Sequence, residues 1–191
     1  MPLPIEKNEP YTFEDCLAGD EEELLEIIDG EPIMMAPPSS NHQRISGALF
    51  AQFYNYLEGK KCEVFSAPFG VRPFEKDGDK PEDVTTLLQP DISVVCDKSK
   101  IDKRGCKGAP DMVIEILSPS TRRHDQLVKL NLYQKAGVRE YWIVSPEEET
   151  VKVFLLENGI LTLHELYEKK DFARVNILAN CGIDLSRVFP E

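Results

Sequence analysis

The stretch Asp111-Met-Val-Ile-Glu115-Ile-Leu-Ser118, bounded by Pro110 and Pro119, decides how this chain folds. It is short, rich in β-branched residues and apolar apart from its two acids. Such a run predicts a central strand buried on both faces. An ionised carboxylate in that setting is costly unless it is paired, hydrogen-bonded or bound to a metal. Glu115 therefore needs a partner, and the identity of that partner points to function.

Working outward, Gln89-Pro90-Asp91 opens a second strand, 91–96, with Ile92, Val94 and Cys96 alternating to one side. If the two strands are neighbours, Asp91 and Glu115 meet at one end of the sheet. Asp111 is a competing acid, but it lies four residues from Glu115, about 13 Å along a strand. It reads as a strand-start residue. Downstream, a helix is expected near 125–136, stopped by Gly137, with Asp125, Lys129 and Tyr133 spaced by four on one face. Taken alone, that spacing is an ordinary surface ion pair. Beside a Glu115 that needs compensation, it becomes part of a candidate site.

The rest of the chain supplies a frame. Residues 12–28 read as a helix capped by Thr12, with Leu24, Leu25, Ile27 and Ile28 as its apolar stripe. Asp29-Gly30 turns the chain into a short strand from Glu31. A second helix, roughly 41–58, puts Ile45, Leu49, Phe53, Tyr56 and Leu57 on one face. Strands are expected at 62–66, 69–74, 139–144, 150–156 and 160–167, the last two joined by the hairpin signal Asn158-Gly159. Residues 75–89 and 97–110 read as loops, and the tail from Ile183 to Phe189 as a short turn of helix or strand. The implied class is α/β (α+β mixed): one domain over 1–191, a mixed central sheet flanked by helices, and an acidic helical N-terminal segment of about 30 residues.

Composition narrows the function classes. The chain has 191 residues, 41% hydrophobic and 29% charged, with net charge −12. Eleven acids and one base fall within residues 1–31, so the acidity is mostly an N-terminal feature and reads as a solvated helical face. Residues 97–129 carry eight Lys/Arg against five Asp/Glu, too small an excess to draw nucleic acid strongly. No run approaches the roughly 20 apolar residues of a membrane helix. The N-terminus lacks a signal-peptide pattern, so a cytoplasmic location is the expectation. Five cysteines, at 16, 62, 96, 106 and 181, show no Cys-x-x-Cys spacing; reduced, mostly buried thiols are expected rather than a zinc site or disulfides.

Two hard carboxylates, Asp91 and Glu115, with the backbone carbonyl of Ile116, suit Mg2+ or Mn2+. Lys129 could orient an attacking water or neutralise a phosphate. His42, near the start of its helix, is more often a structural or surface residue than a ligand. Glu31 reads equally as a metal-adjacent acid or a plain turn residue.

Several motifs in order carry a resemblance: Asp29-Gly-Glu-Pro-Ile-Met-Met-Ala-Pro-Pro-Ser-Ser-Asn-His42, Gln89-Pro-Asp-Ile-Ser-Val-Val95, Gly108-Ala-Pro-Asp-Met-Val-Ile-Glu-Ile-Leu-Ser-Pro-Ser-Thr121, Asp125-x-x-x-Lys-x-x-x-Tyr133 and Gly137-Val-Arg-Glu-Tyr-Trp-Ile-Val144. Over roughly residues 12–165 the chain resembles the bacterial restriction-endonuclease-like family within the PD-(D/E)XK nuclease superfamily. The resemblance implies a restriction-endonuclease-like core, Asp91 and Glu115 as metal ligands, and a catalytic lysine. Leu117 stands where the plain superfamily pattern has lysine, and the resemblance points instead to Lys129 on the following helix. Ser145 replaces an aspartate usual after Tyr-Trp-Ile-Val. By the same resemblance the chain is expected to be a Mg2+-dependent endonuclease acting on DNA as a homodimer. The alternative, motivated by the acidity and the lack of a DNA-reading module, is a catalytically silent binding or assembly protein that keeps the nuclease fold.

Overall fold

The computed structural model describes residues 9–18, 25–118 and 125–189, with the backbone alone at 125 and 126. Its centre is a six-stranded sheet. In chain order the strands are β3 (Glu63–Ser66), β5 (Ile92–Val95), β8 (Met112–Ile116), β9 (Glu140–Ser145), β10 (Thr150–Glu157) and β11 (Ile160–Glu168). Their order across the sheet is β11-β10-β9-β8-β5-β3. β8 and β9 run parallel, joined by a helical crossover, and the other neighbours are antiparallel. A parallel pair needs such a crossover, whereas the antiparallel β10–β11 pair closes through a two-residue turn. That turn places Asn158 at φ 52° and Gly159 at φ 83°, the left-handed conformations the sequence there favours.

β8 is buried along its whole length, as its apolar run requires. Its side chains alternate between two cores. Met112, Ile114 and Ile116 face α2 (Ser40–Leu57), which contributes Ile45, Leu49, Phe53 and Leu57. Val113 and Leu117 face the opposite layer, with Leu132 and Tyr133 of α3 (Leu130–Ala136). Glu115 falls on this second face. Helix α3 ends at Gly137, φ 85°, and a π-type turn over Asp125–Lys129 leads into it.

The N-terminal region departs from the expected helix. Among the described residues of this region only Phe13–Ala18 is helical (α1), and Leu25–Ile28 is a strand, β1, that pairs with β2 (Glu31–Met34). Asp29 and Gly30 make the hairpin turn at φ 50° and 84°. The apolar stripe assigned to a helix instead packs along β1, whose four residues are all buried. Ile27 exchanges two backbone hydrogen bonds of 2.8 Å with Leu87, docking the hairpin on the segment before Asp91. Residues 1–8 and 19–24 of the expected acidic helix lie outside the described residues.

Three smaller differences follow from pairing that spacing alone does not reveal. The 69–74 strand shortens to β4 (Val71–Arg72). It pairs with β7 (Gly105–Lys107), which pairs in turn with β6 (Ile101–Asp102), inside the region expected to be loop. The C-terminal region forms a hairpin of β12 (Phe172–Val175) and β13 (Cys181–Asp184), which closes the α2-side core. Cys62 and Cys96 form a disulfide, correcting the expectation of reduced thiols. They flank β3 and β5, and the register Glu63↔Val95 sets them opposite each other. Cys16, Cys106 and Cys181 are free, with burial pushing each thiol up to about 11. Among the described residues no helix is long and apolar enough to cross a membrane.

Candidate active site

The site is built where β5 begins and β8 ends. Ile92 pairs with Ile114 in antiparallel register, so one further step sets Asp91 opposite Glu115. Residues directly opposite on an antiparallel pair project to the same face. Asp91 is fixed there by the backbone: its Oδ2 accepts a 2.7 Å hydrogen bond from the Ile116 N–H. Its Oδ1 lies 3.2 Å from His42 Nε2. His42 stands in the first turn of α2, and its N–H donates to the Ser39 side chain that caps the helix.

Glu115 is 3% exposed and Lys129 4%. Lys129 Nζ donates to Glu115 Oε1 at 3.0 Å, and the Tyr133 hydroxyl donates to the same oxygen at 2.6 Å. The i, i+4 spacing of Lys129 and Tyr133 delivers both donors from one side. Burial, then the Glu115 charge, holds the Tyr133 hydroxyl well above its usual range, so it stays a donor.

A further acid joins them. Glu26, on β1 and 3% exposed, accepts from Lys129 Nζ at 2.9 Å and from the Gln89 N–H at 2.8 Å. The sequence reading missed it, because a helix over 12–28 put it on a solvated face. The signal was present: Leu25-Glu-Ile-Ile28 before Asp29-Gly30 is an apolar, β-branched run with a carboxylate inside, the pattern that singled out Glu115.

Of the expected residues, Asp91, Glu115, Lys129, Tyr133, His42 and the Ile116 backbone come together. Ile116 takes part through its N–H. Glu31 is exposed on β2, opposite Ile28, outside this cluster. Asp125 lies in the π-type turn, and its side chain is outside the described residues. Leu117, at the superfamily's lysine position, is buried in the α3-side core. Asp111 sits at the opposite end of β8, where it accepts from the Cys96 N–H at 2.6 Å and from Arg139 at 2.6 Å.

Asp91 and Glu115 stand at adjoining strand ends, and Lys129 closes the turn that leads into α3. Residues 11–186 match the Uma2 family, whose description is "Putative restriction endonuclease". The chain belongs to the Uma2 family. As in the expectation from sequence, the Uma2 fold is a mixed sheet flanked by helices. It superposes on the crystal structure of a protein from Anabaena variabilis, described as a putative nuclease belonging to DUF820, with TM-score 0.71 and 22% identity over 94% of this chain and 100% of that one. Among curated proteins, this Uma2 chain is 28% identical over 130 residues to the uncharacterized protein slr1290 of Synechocystis. That match covers 68% of the chain and 64% of its relative's length. Membership puts the chain in a nuclease-type family; it assigns no metal, substrate or residue role.

The donor chemistry bears on a metal. Glu26 and Glu115 share the Lys129 ammonium, and Asp91 lies opposite Glu115 with His42 and the Ile116 N–H as its partners. Among the described residues no three His, Cys, Asp or Glu side chains converge on a single ion. The described donor set at the sheet end is two carboxylates, Asp91 and Glu115, on adjoining strands. It is compatible with Mg2+, which binds through one or two carboxylates and keeps waters and substrate phosphates as its other ligands.

Proposed function

We propose that this chain is a Mg2+- or Mn2+-dependent nuclease that hydrolyses DNA phosphodiesters. The observation that carries the reading is the charge balance at the β5/β8 end. Glu26 and Glu115, both buried, share the Lys129 ammonium, and Asp91 stands opposite Glu115 across the β5–β8 pair with His42 beside it; buried negative charge gathered at one sheet end favours a counter-ion. A divalent cation held by Asp91 and Glu115, with the Ile116 carbonyl as a third oxygen, balances it. Bound there, the ion supplies Lewis-acid polarisation of a phosphate oxygen.

The chain's own residues do the rest. The Ile116 N–H fixes Asp91, and Tyr133 with Lys129 fixes Glu115, so both carboxylates are oriented before substrate arrives. The Lys129 ammonium orients the attacking water and stabilises negative charge growing on the phosphate. Three of the five bases of 97–110 are engaged within the fold, which reduces what they can offer a polyanion. Lys98 pairs with Glu63 at 2.6 Å, Lys107 with Asp77 at 3.1 Å, and Lys100 donates to the Ala109 carbonyl at 2.8 Å. Affinity for nucleic acid should therefore be modest and salt-sensitive. Cutting both strands of a duplex needs two such sites, so the reading includes a homodimer.

The test is parallel cleavage of DNA and RNA in Mg2+, Mn2+ and EDTA by the parent, Asp91→Asn, Glu115→Gln and Lys129→Met. Metal-dependent cutting of DNA by the parent, lost in each folded variant, is expected. Equal cutting by all three variants overturns the residue assignment. Metal uptake with no hydrolysis of any nucleic acid favours a silent binding protein on the same fold.

A further inference from the structure

Glu26 enters the reading above only through its charge, yet it is as deeply placed as Glu115. Its position is fixed before any contact with lysine. β1 is held by the Ile27–Leu87 backbone pair, Gln89 Nε2 donates to the Leu25 carbonyl at 3.0 Å, and the Gln89 N–H donates to the Glu26 carboxylate at 2.8 Å. The same short segment, Gln89-Pro90-Asp91, therefore anchors Glu26 at one end and supplies Asp91 at the other. Lys129 Nζ then sits almost midway between two carboxylate oxygens, 2.9 Å from Glu26 and 3.0 Å from Glu115.

We propose that Glu26 is a positioning residue that draws the Lys129 ammonium partly away from Glu115, so that the Glu115 carboxylate stays available to a divalent cation. The inference rests on the metal-dependent reading. A buried ammonium with a single carboxylate partner forms a one-to-one pair, and a cation approaching that carboxylate must compete with the ammonium at full strength. Two carboxylates at matched distance divide the ammonium between them and leave net negative charge on the pair. Glu26 acts through Lys129 rather than on the ion, because its carboxylate is held by Lys129 Nζ and the Gln89 N–H.

This arrangement makes a sign prediction. Removing the Glu26 charge should weaken cation binding, because Lys129 then leans further toward Glu115. Removing Lys129 as well should restore it, because no ammonium is left to compete. The experiment is a Mn2+ titration, with free ion read by its electron paramagnetic resonance signal. It compares the parent, Glu26→Gln, Glu26→Asp and the double variant Glu26→Gln/Lys129→Met. Circular dichroism melts confirm that each is folded. Glutamine keeps the acceptor for the Gln89 N–H while removing the charge.

Mn2+ binding by Glu26→Gln should be roughly tenfold weaker, the scale of one charge-assisted hydrogen bond. Glu26→Asp should recover part of the loss, and the double variant should bind at least as tightly as the parent. A double variant as weak as Glu26→Gln overturns the proposal, since a true ligand or a purely structural residue gives that result. Glu26→Gln binding as tightly as the parent also overturns it, and leaves the metal reading standing. A parent that takes up no Mn2+ overturns both.

Discussion

Lys129→Met isolates the charge balance of the site from its catalysis. Methionine keeps much of the apolar stem and removes the ammonium. Glu26 and Glu115, each 3% exposed, then face one another without their shared cation. Breaking a buried ion pair by removing one partner costs about 3–5 kcal/mol. Glu26 keeps the Gln89 N–H and Glu115 keeps the Tyr133 hydroxyl, so the lower half of that range, about 3–4 kcal/mol, applies here. For a domain of this size each kcal/mol shifts the melting temperature by about 2–4 °C. The variant should therefore melt about 6–16 °C below the parent in EDTA at neutral pH, followed by calorimetry or circular dichroism. Saturating Mg2+ or Mn2+ should return part of the loss, since ligand at a hundred times its dissociation constant adds about 2.7 kcal/mol. A hydrophobic substitution that weakens the apo protein while strengthening its response to metal is difficult to explain without a carboxylate cluster short of positive charge. Melting within about 2 °C of the parent in EDTA would refute the reasoning, because it would mean the two acids carry no charge in need of compensation.

The Cys62–Cys96 disulfide, with its sequence separation of 34, should stabilise the fold by about 4 kcal/mol through loop closure; urea midpoints with and without dithiothreitol measure it, and an unchanged midpoint refutes it. Cys16, Cys106 and Cys181, with thiols pushed up to about 11, should alkylate slowly in the folded protein; rapid labelling at neutral pH would contradict the burial of Cys106 and Cys181 and the raised thiol of half-buried Cys16. Burial raises the Glu140 carboxyl above its ordinary value of 4.5, so the folded chain holds that proton more tightly than the unfolded one. The stability it contributes is fully present below the unfolded value and is lost as pH rises through the folded one. Glu140→Gln should remove that slope, so denaturation of the parent and variant between pH 4 and 8 should diverge as pH rises, with the variant favoured; parallel curves refute it. Gly105 has φ 128°, and a Cβ there would lie 1.9 Å from the Gly70 carbonyl oxygen. Gly105→Ala should therefore disrupt the β4–β7–β6 sheet at a cost of about 3 kcal/mol or more, read as a lower melting temperature.

The central strand, its crossover helix and the β10–β11 hairpin were legible because their signals are local. An apolar run between prolines, a four-residue spacing ended by glycine and an Asn-Gly turn each act over a few residues. The pairing of β5 with β8 was only a condition in the sequence, yet it sets Asp91 against Glu115. What failed were the features set by partners far along the chain. β1 looked helical because Leu24, Leu25, Ile27 and Ile28 fit a 3.6-residue period, and its pairing with β2 and docking on the distant Leu87 make it a strand. The Cys62–Cys96 bond depends on β3–β5 register. Glu26 was lost with β1, and with it the second partner of Lys129.

The two ends of β8 show what distinguishes an acid that holds the fold from one that can do chemistry. Asp111 and Glu115 sit on one strand, four residues apart, and the same sequence argument applies to both. Asp111 has a backbone N–H and a half-exposed arginine to itself, so its charge is matched inside the fold. Glu115 shares one buried ammonium with Glu26, across from a third carboxylate at Asp91. Position along the strand does not separate the two acids; what surrounds them does, since Asp111 meets its arginine at the protein surface whereas Glu115 meets its lysine in the interior together with Glu26.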